Sequence, residues 1–80
     1  MSGSLSLVNV ELVTRQGCHL RDEALDVLRA HGVEPRLRNV DADSELFRLY
    51  DFRVPVLLVD GRVVGEGRLD ERAVRRALGV

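Results

Sequence analysis

The chain has 80 residues, of which 45% are hydrophobic and 31% charged, with a formal net charge of −1. A chain this short buries only about three-fifths of the surface that its unfolded form exposes, so we expect one domain with no cleft between two domains. The balanced charge argues against a nucleic-acid partner, because phosphate binding relies on an excess of basic residues. No apolar run approaches the roughly 20 residues that cross a membrane.

The chain contains a single cysteine, Cys18, which excludes further classes of protein. One thiol cannot form an internal disulfide framework or a zinc site built on several cysteines, and it fits a reducing compartment, most simply the cytoplasm. Residues 1–5 lack a basic region ahead of an apolar core, so we expect a loose leader there and no signal peptide. All twelve basic residues are arginine, a bias that indicates a GC-rich genome.

The first strand is predicted at residues 7–14, which are rich in valine and leucine, with its second half buried on both faces. After a turn that contains a glycine, apolar residues recur at helical spacing until Gly32, so we expect a helix from about Cys18 to His31. The apolar stripe of this helix comprises Leu20, Ala24, Val27, Leu28 and His31.

A second strand is predicted at residues 33–40, and Pro35 near its start favours an edge position, because proline cannot donate to a sheet ladder. The inward side chains are expected to be Val33, Leu37 and Val40. After a short loop, Asp43 or Ser44 is placed to cap a short helix that runs through Tyr50. Its packing residues are expected to be Leu46, Phe47, Leu49 and Tyr50.

A hairpin is predicted next. Residues 56–59 are apolar, and Asp60-Gly61 is a strong two-residue hairpin signal. The partner strand is expected at residues 62–64. Gly65 and Gly67, which follow, are expected to end it.

The last helix is expected to begin after Asp70, a capping residue, and to stop at Gly79. Its apolar residues are Ala73, Val74, Ala77 and Leu78. The element order β-α-β-α-β-β-α predicts an α/β domain. Its first two strands are parallel, its last two form an antiparallel hairpin, and helices flank the four-stranded mixed sheet.

Cys18 falls where the first strand has ended and the first helix begins, a position that favours the thiolate. Unpaired N–H groups and the positive end of the helix dipole stabilise this nucleophilic anion. Arg15 and Arg21, each three residues away, add positive charge. Free cysteine is usually a small buried hydrophobe, but Cys18 precedes the apolar stripe, so the reactive interpretation is favoured.

Pro55 opens an otherwise buried strand, a position that a cis Val54–Pro55 bond or an ordinary trans proline would explain. The aromatic side chains are expected in the core by default, with Tyr50 or Phe52 bordering a groove near Pro55 as the alternative. Exposure is expected for His19. One cysteine and two histidines lack any recognised metal-ligand spacing.

Cys18 and Pro55 together resemble the glutaredoxin branch of the thioredoxin fold. Residues 14–24, TRQGCHLRDEA, are similar to its redox-site segment, residues 54–55 to its cis-proline motif, and residues 60–65 to the following hairpin. The resemblance is closest to small bacterial glutaredoxin-like proteins whose site reads Gly-Cys-His-Leu-Cys-Asp/Glu, and it covers about residues 7–78. It implies one thioredoxin-like domain over residues 1–80.

The resemblance also implies residue roles. Cys18 matches the attacking cysteine, and Arg15 a basic position that helps to hold a carboxylate of the tripeptide in glutathione-using members. Val54 matches the residue whose main chain pairs with the cysteine of a bound thiol peptide. Pro55 matches the proline that shapes the groove beside the thiol.

Two departures from the family pattern limit these roles. Arg21 stands where the resolving cysteine of C-x-x-C would be, so no internal disulfide can form and this residue is expected to act as a cation near the thiol. Residues 65–68 replace a Gly-Gly and acidic pair that grip the γ-glutamyl end. Gly65 stays a candidate for substrate binding, whereas Glu66 and Arg68 argue against tight glutathione binding.

The leading hypothesis is glutaredoxin-like, single-cysteine thiol–disulfide exchange of the deglutathionylation type through Cys18. Glutathione or another low-molecular-weight thiol would be the co-substrate, with no bound cofactor. The expected partner is a small thiol or a thiol-modified protein, and a monomer without membrane contact is expected. The alternative is a non-catalytic thioredoxin-fold protein that binds a peptide or protein in the Cys18/Pro55 groove. Reduction of an oxyanion such as arsenate ranks last, because that family is longer and spaces its Cys and Arg differently.

Overall fold

The computed structural model describes residues 9–79, and these form four strands and three helices in the predicted order. The elements are β1 (Val10–Thr14), α1 (His19–Ala30), β2 (Arg36–Asn39), α2 (Ser44–Tyr50), β3 (Val56–Val59), β4 (Arg62–Glu66) and α3 (Glu71–Leu78). A 3-10 turn, Val40–Ala42, joins β2 to α2. The predicted start of the first strand at residues 7–8 lies outside the described residues. None of the helices in the described range is long and apolar enough to cross a membrane.

The sheet has the strand order β2-β1-β3-β4, with β1 and β2 parallel and the other two pairings antiparallel. The predicted mixed α/β sheet is therefore confirmed. Thr14 pairs with Asn39, Val13 with Val56, and Val56 with Glu66. This register brings the last residues of β1, β2 and β4 to the same end of the sheet as the first residue of β3. We call it the Thr14 end.

Apolar side chains alternate between the two faces of the sheet and build a core on each. Leu12 and Leu57 pack under α1 and α3, whereas Val13, Val56 and Leu58 pack under α2. The first core contains the buried residues Leu12, Ala24, Leu25, Leu28, Leu57, Leu69 and Val74. The predicted burial of β1 on both faces is thus confirmed.

The predicted capping and turn signals match the structure. Asp43 accepts hydrogen bonds from the main-chain N–H groups of α2, and Asp70 accepts one from the first turn of α3. Gly79 ends α3 in the left-handed conformation, with φ of 77°. Asp60 and Gly61 both have positive φ, 52° and 82°, as a tight hairpin turn requires.

Several packing expectations were wrong because the short elements bury only one narrow stripe. α2 has seven residues and buries Leu46, while Phe47 and Leu49 lie off that stripe and are exposed. Phe52, expected in the core by default, is 96% exposed in the turn after α2. Leu37 is also exposed, because β2 is an edge strand that pairs only with β1.

Two further expectations need correction. α1 buries Leu25 in addition to the predicted Ala24 and Leu28. His31 was expected in the apolar stripe of α1, but it contacts Glu71, with 2.8 Å between His31 Nε2 and Glu71 Oε2. Gly65 does not break the second hairpin strand. β4 continues through it, because a bulge near Leu57 and Leu58 absorbs one residue.

Candidate functional site

Cys18 is the N-terminal capping residue of α1, a helix of 12 residues. It is a half-buried free thiol, and its side chain makes no capping hydrogen bond. Its main-chain N–H donates to the carbonyl of Arg15 at 3.0 Å, and its carbonyl accepts from the N–H of Arg21 at 3.2 Å. These two bonds fix a tight turn that holds the sulfur at the positive end of the helix dipole, where an anion is stabilised.

The Pro55 segment lies beside this turn at the Thr14 end. Val13 of β1 pairs with Val56 of β3 in antiparallel register, so the residues that follow Val13 run alongside those that precede Val56. Pro55 is buried, its peptide bond with Val54 is cis, and its carbonyl accepts from the N–H of Gly67 at 2.9 Å. The register thus places the thiol turn, the proline and the end of β4 at the same end of the sheet.

Val54, next to Pro55, is half-buried and its main-chain groups are free of hydrogen bonds to the described residues. Within residues 9–79, no group hydrogen-bonds to its N–H or its carbonyl. Its side chain packs against the core under α2, which anchors the residue. An extended peptide can pair with such a segment in the manner of an added strand.

The side chain of Arg15 points to two carboxylates of the chain itself. Its Nε and Nη2 donate to Asp41 at 2.8 and 3.0 Å, and Nη2 also donates to the carboxylate of Asp51. The hydrogen bonds from Arg15 hold the pKa of Asp41 below its usual range, and they raise the pKa of Arg15. The guanidinium that the resemblance assigns to a ligand carboxylate is therefore engaged within the protein.

Arg21 extends towards β2. Its Nε is buried, has no hydrogen-bond partner among the described residues, and lies 3.5 Å from the carboxylate of Asp22. The side chain lines a pocket of about 320 Å³ together with Thr14, Gln16, Leu37, Arg38 and Asn39. Arg21 is thus close to Cys18 through the main chain, while its side chain borders the β2 side of the Thr14 end.

The last residue of β4, Glu66, and Arg68 just after it both form ion pairs. Arg53 forms a two-point pair with Glu66, and its guanidinium lies 5.4 Å from the ring centre of Tyr50. The hydrogen bonds from Arg53 lower the pKa of Glu66. Arg68 Nε lies 3.3 Å from a carboxylate oxygen of Glu23.

Gly65 has a packing reason to be glycine. A Cβ atom at this position would lie 2.9 Å from Cδ2 of the fully buried Leu69. The backbone of β4 therefore approaches the core more closely here than a larger residue would allow.

The sequence did not predict a role at the site for Asp41, for Asp51 or for the Arg53–Glu66 pair. Asp41 follows β2 and Asp51 follows α2. The signal that could have identified them is a carboxylate directly after an element that ends close to the thiol.

Among residues 9–79, no three His, Cys, Asp or Glu side chains are grouped as a metal site.

Exposed apolar side chains lie beside the Pro55 segment. Phe52 is 96% exposed, and Phe47 and Leu49 are each exposed by more than 40%. They border a pocket of about 230 Å³ together with Arg48, Asp51 and Arg53. The tyrosine predicted as a possible groove residue, Tyr50, is half-buried against the core under α2.

The chain was compared with protein families, curated proteins and solved structures. A family model described as "Glutaredoxin-like domain (DUF836)" matches residues 9–79. The X-ray structure of the structural genomics target protein XcR50 from X. campestris is 32% identical, with a TM-score of 0.76 over 88% of this chain and 95% of that chain. The solution NMR structure of protein Ne2328 from Nitrosomonas europaea is 30% identical, with a TM-score of 0.74 over 84% of this chain and 86% of that chain. No curated protein matches the chain.

Proposed function

Because the chain belongs to the glutaredoxin-like domain family, we propose that it carries out single-cysteine thiol–disulfide exchange through Cys18. One juxtaposition carries the proposal. Cys18, a free cysteine, is the residue at the N-terminus of α1, at the same end of the sheet as Val54 and Pro55. The main-chain groups of Val54 have no partner among the described residues. A single cysteine fits a reducing compartment such as the cytoplasm.

The exchange has two steps, and its electrons come from a small thiol. The Cys18 thiolate attacks one sulfur of a mixed disulfide between a protein and a small thiol. A new S–S bond forms to the small thiol as the old bond breaks, and the protein thiolate leaves and takes a proton from water. A second small-thiol molecule, as thiolate, then attacks the adduct, which releases a small-molecule disulfide and regenerates the Cys18 thiolate. Glutathione or another low-molecular-weight thiol is the co-substrate, and no bound cofactor is needed.

The described residues can support each step. The dipole of α1 stabilises the thiolate, and the cation of Arg21 in the first helical turn acts in the same direction. The main chain of Val54 is available to pair with the peptide that carries the reacting sulfur. The second step depends on solvent thiol, because Arg21 occupies the position of a resolving cysteine.

The direct test is adduct formation and release. A fluorescent cysteine peptide carrying a small-thiol mixed disulfide is added to the wild-type protein and to Cys18→Ser, and intact masses are recorded. We expect one small-thiol adduct on the wild-type protein, faster than on a free cysteine peptide, and its loss when small thiol is added. An adduct rate equal to that of the free peptide would contradict the proposal.

A second candidate function is peptide or protein binding without turnover. The 96% exposed Phe52, two residues before Val54, favours it, because exposed aromatic side chains beside a groove are typical of contact surfaces. The variant Cys18→Ser distinguishes the two functions. A binding protein keeps its affinity for a partner peptide in this variant, whereas an exchange protein loses its adduct.

A further inference from the structure

The guanidinium of Arg15 is engaged by a carboxylate in the geometry that a ligand carboxylate would use. Nε and Nη2 donate to the two oxygens of Asp41, at 2.8 and 3.0 Å, which is the bidentate fork typical of arginine–carboxylate recognition. Asp51 adds a second carboxylate on Nη2, and its main-chain oxygen lies 3.5 Å from Nη1. An incoming carboxylate must therefore compete with two groups that are tethered to the same chain and present at high effective concentration.

Other arginines around the Cys18 turn and the Thr14 end also lie near carboxylates, although the Nε of Arg21 has no hydrogen-bond partner among the described residues. Arg53 donates to Glu66 at 2.9 and 2.7 Å, Arg68 lies 3.3 Å from Glu23, and Arg21 lies 3.5 Å from its neighbouring aspartate. Each exposed pair contributes little to folding stability, but together they determine the charge that a ligand meets. Among the described residues here, Arg15, Arg21, Arg53 and Arg68 face five carboxylates, those of Asp22, Glu23, Asp41, Asp51 and Glu66.

This charge balance persists at neutral pH. The pKa of Asp41 is lowered by its hydrogen bonds from Arg15, and the pKa of Glu66 is lowered by those from Arg53. Both carboxylates stay ionised in the neutral range, so neither guanidinium is released there. The groups named around Cys18 therefore carry a slight negative excess, and the guanidinium groups of Arg15, Arg53 and Arg68 are each engaged by a carboxylate. Arg21 keeps one buried Nε without a hydrogen-bond partner among the described residues, 3.5 Å from Asp22.

On the basis of the proposed exchange function, we propose that Asp41 and Asp51 determine which thiol Cys18 uses. They occupy Arg15 and so select an uncharged or cationic low-molecular-weight thiol over one that carries carboxylates, such as glutathione. Neither aspartate contacts the reacting sulfur atoms in this scheme. They act through Arg15, and their removal should change thiol preference and leave the reactivity of Cys18 intact.

The first experiment uses the wild-type protein with three symmetrical disulfides: oxidised glutathione (anionic), hydroxyethyl disulfide (neutral) and cystamine (cationic). The second-order rate of adduct formation on Cys18 is measured by mass spectrometry for each. It is then divided by the rate with an uncharged cysteine model peptide, which removes intrinsic disulfide reactivity. We expect the normalised rate for hydroxyethyl disulfide to exceed that for oxidised glutathione by about threefold, because Arg15 with Asp41 and Asp51 carries a net negative charge that repels the glutathione carboxylates.

The second experiment releases Arg15 with the near-isosteric double variant Asp41→Asn/Asp51→Asn. The normalised rate with oxidised glutathione should rise by about tenfold, while the rate with hydroxyethyl disulfide should change by less than about twofold. Adding Arg15→Gln to the double variant should abolish the gain. The matched control is Glu34→Gln, which removes one carboxylate from a two-point pair with Arg29 ahead of β2, at the opposite end of the sheet, and should leave the preference unchanged.

The outcomes separate the inference from the function on which it rests. If Cys18 reacts with none of the three disulfides faster than the model peptide, the exchange function fails and the inference fails with it. If all three are accelerated equally, or oxidised glutathione is preferred, exchange stands and the inference is refuted. Circular dichroism checks that the variants fold, and the wild-type comparison decides the question even if the double variant does not fold.

Discussion

Arg53 and Glu66 face each other in a two-point ion pair that fastens the Pro55 segment to the end of β4. On the other side of the same segment, Asp51 receives a hydrogen bond from Arg15 at the end of β1. Residues 51–55 are thus held between the two strands that flank β3. Because Val54 lies within this segment, its main-chain groups are presented from a supported position, as a peptide-binding edge requires.

The first prediction concerns acid stability. Hydrogen bonds from arginine lower the pKa of Glu34, Asp41 and Glu66 in the folded protein. Their unfolded values are about 4.3 for Glu and about 3.9 for Asp, so their stabilising contribution is complete above about pH 5 and is lost as the pH falls through the lower folded values.

Thermal melting of wild type and Asp41→Asn from pH 7 to pH 2 tests this prediction. The wild type should have the higher Tm at pH 7, and the difference should shrink to nothing in acid, once the carboxyl of Asp41 is protonated. A difference that persists undiminished at pH 2 would count against this prediction.

Local signals in the sequence were sufficient to predict most of the fold. The Asp60-Gly61 turn and the Asp70 cap act on neighbouring residues, so their residue types carry the information directly. The position of Cys18 at the start of α1 was readable for the same reason.

The contacts of the site could not be read in this way. Arg15 and Asp41 are 26 residues apart, and their pairing depends on the parallel register of β1 and β2, which no local pattern encodes. The sequence also left the position of Phe52 open between the core and the border of a groove, because its exposure depends on how little of the sheet a seven-residue helix covers.

The second prediction concerns the core under α1 and α3. Leu28 is fully buried there, so Leu28→Ala removes apolar contacts and leaves a cavity. The free energy of unfolding should fall by about 2–5 kcal/mol. Leu37→Ala is the matched control, since Leu37 is 49% exposed on the edge strand. Urea unfolding should show a much smaller loss for the control, and equal losses would contradict the assignment of the core.

The third prediction concerns the reactivity of Cys18. Arg21→Ala removes a cation from the first turn of α1, which leaves the thiolate less stabilised. The rate of alkylation by iodoacetamide at pH 7 should fall by about threefold. Arg29→Ala, at the far end of the same helix, is the control and should react like the wild type. If both variants match the wild type, Arg21 has no electrostatic role at the thiol.

The last prediction concerns the missing second cysteine. The wild-type protein should fail to reduce protein disulfides when no small thiol is present, because no sulfur in the chain can resolve a mixed disulfide with a large substrate. Arg21→Cys restores the C-x-x-C spacing, and the bond from the N–H of residue 21 to the carbonyl of Cys18 already brings the two residues together in one turn. The variant should lose both free thiols on oxidation and gain disulfide-reductase activity. Arg29→Cys, which adds a thiol at the far end of α1, should do neither. A variant that forms the disulfide and yet stays inactive would favour the binding function, and wild-type reduction of protein disulfides without added thiol would contradict the single-cysteine scheme.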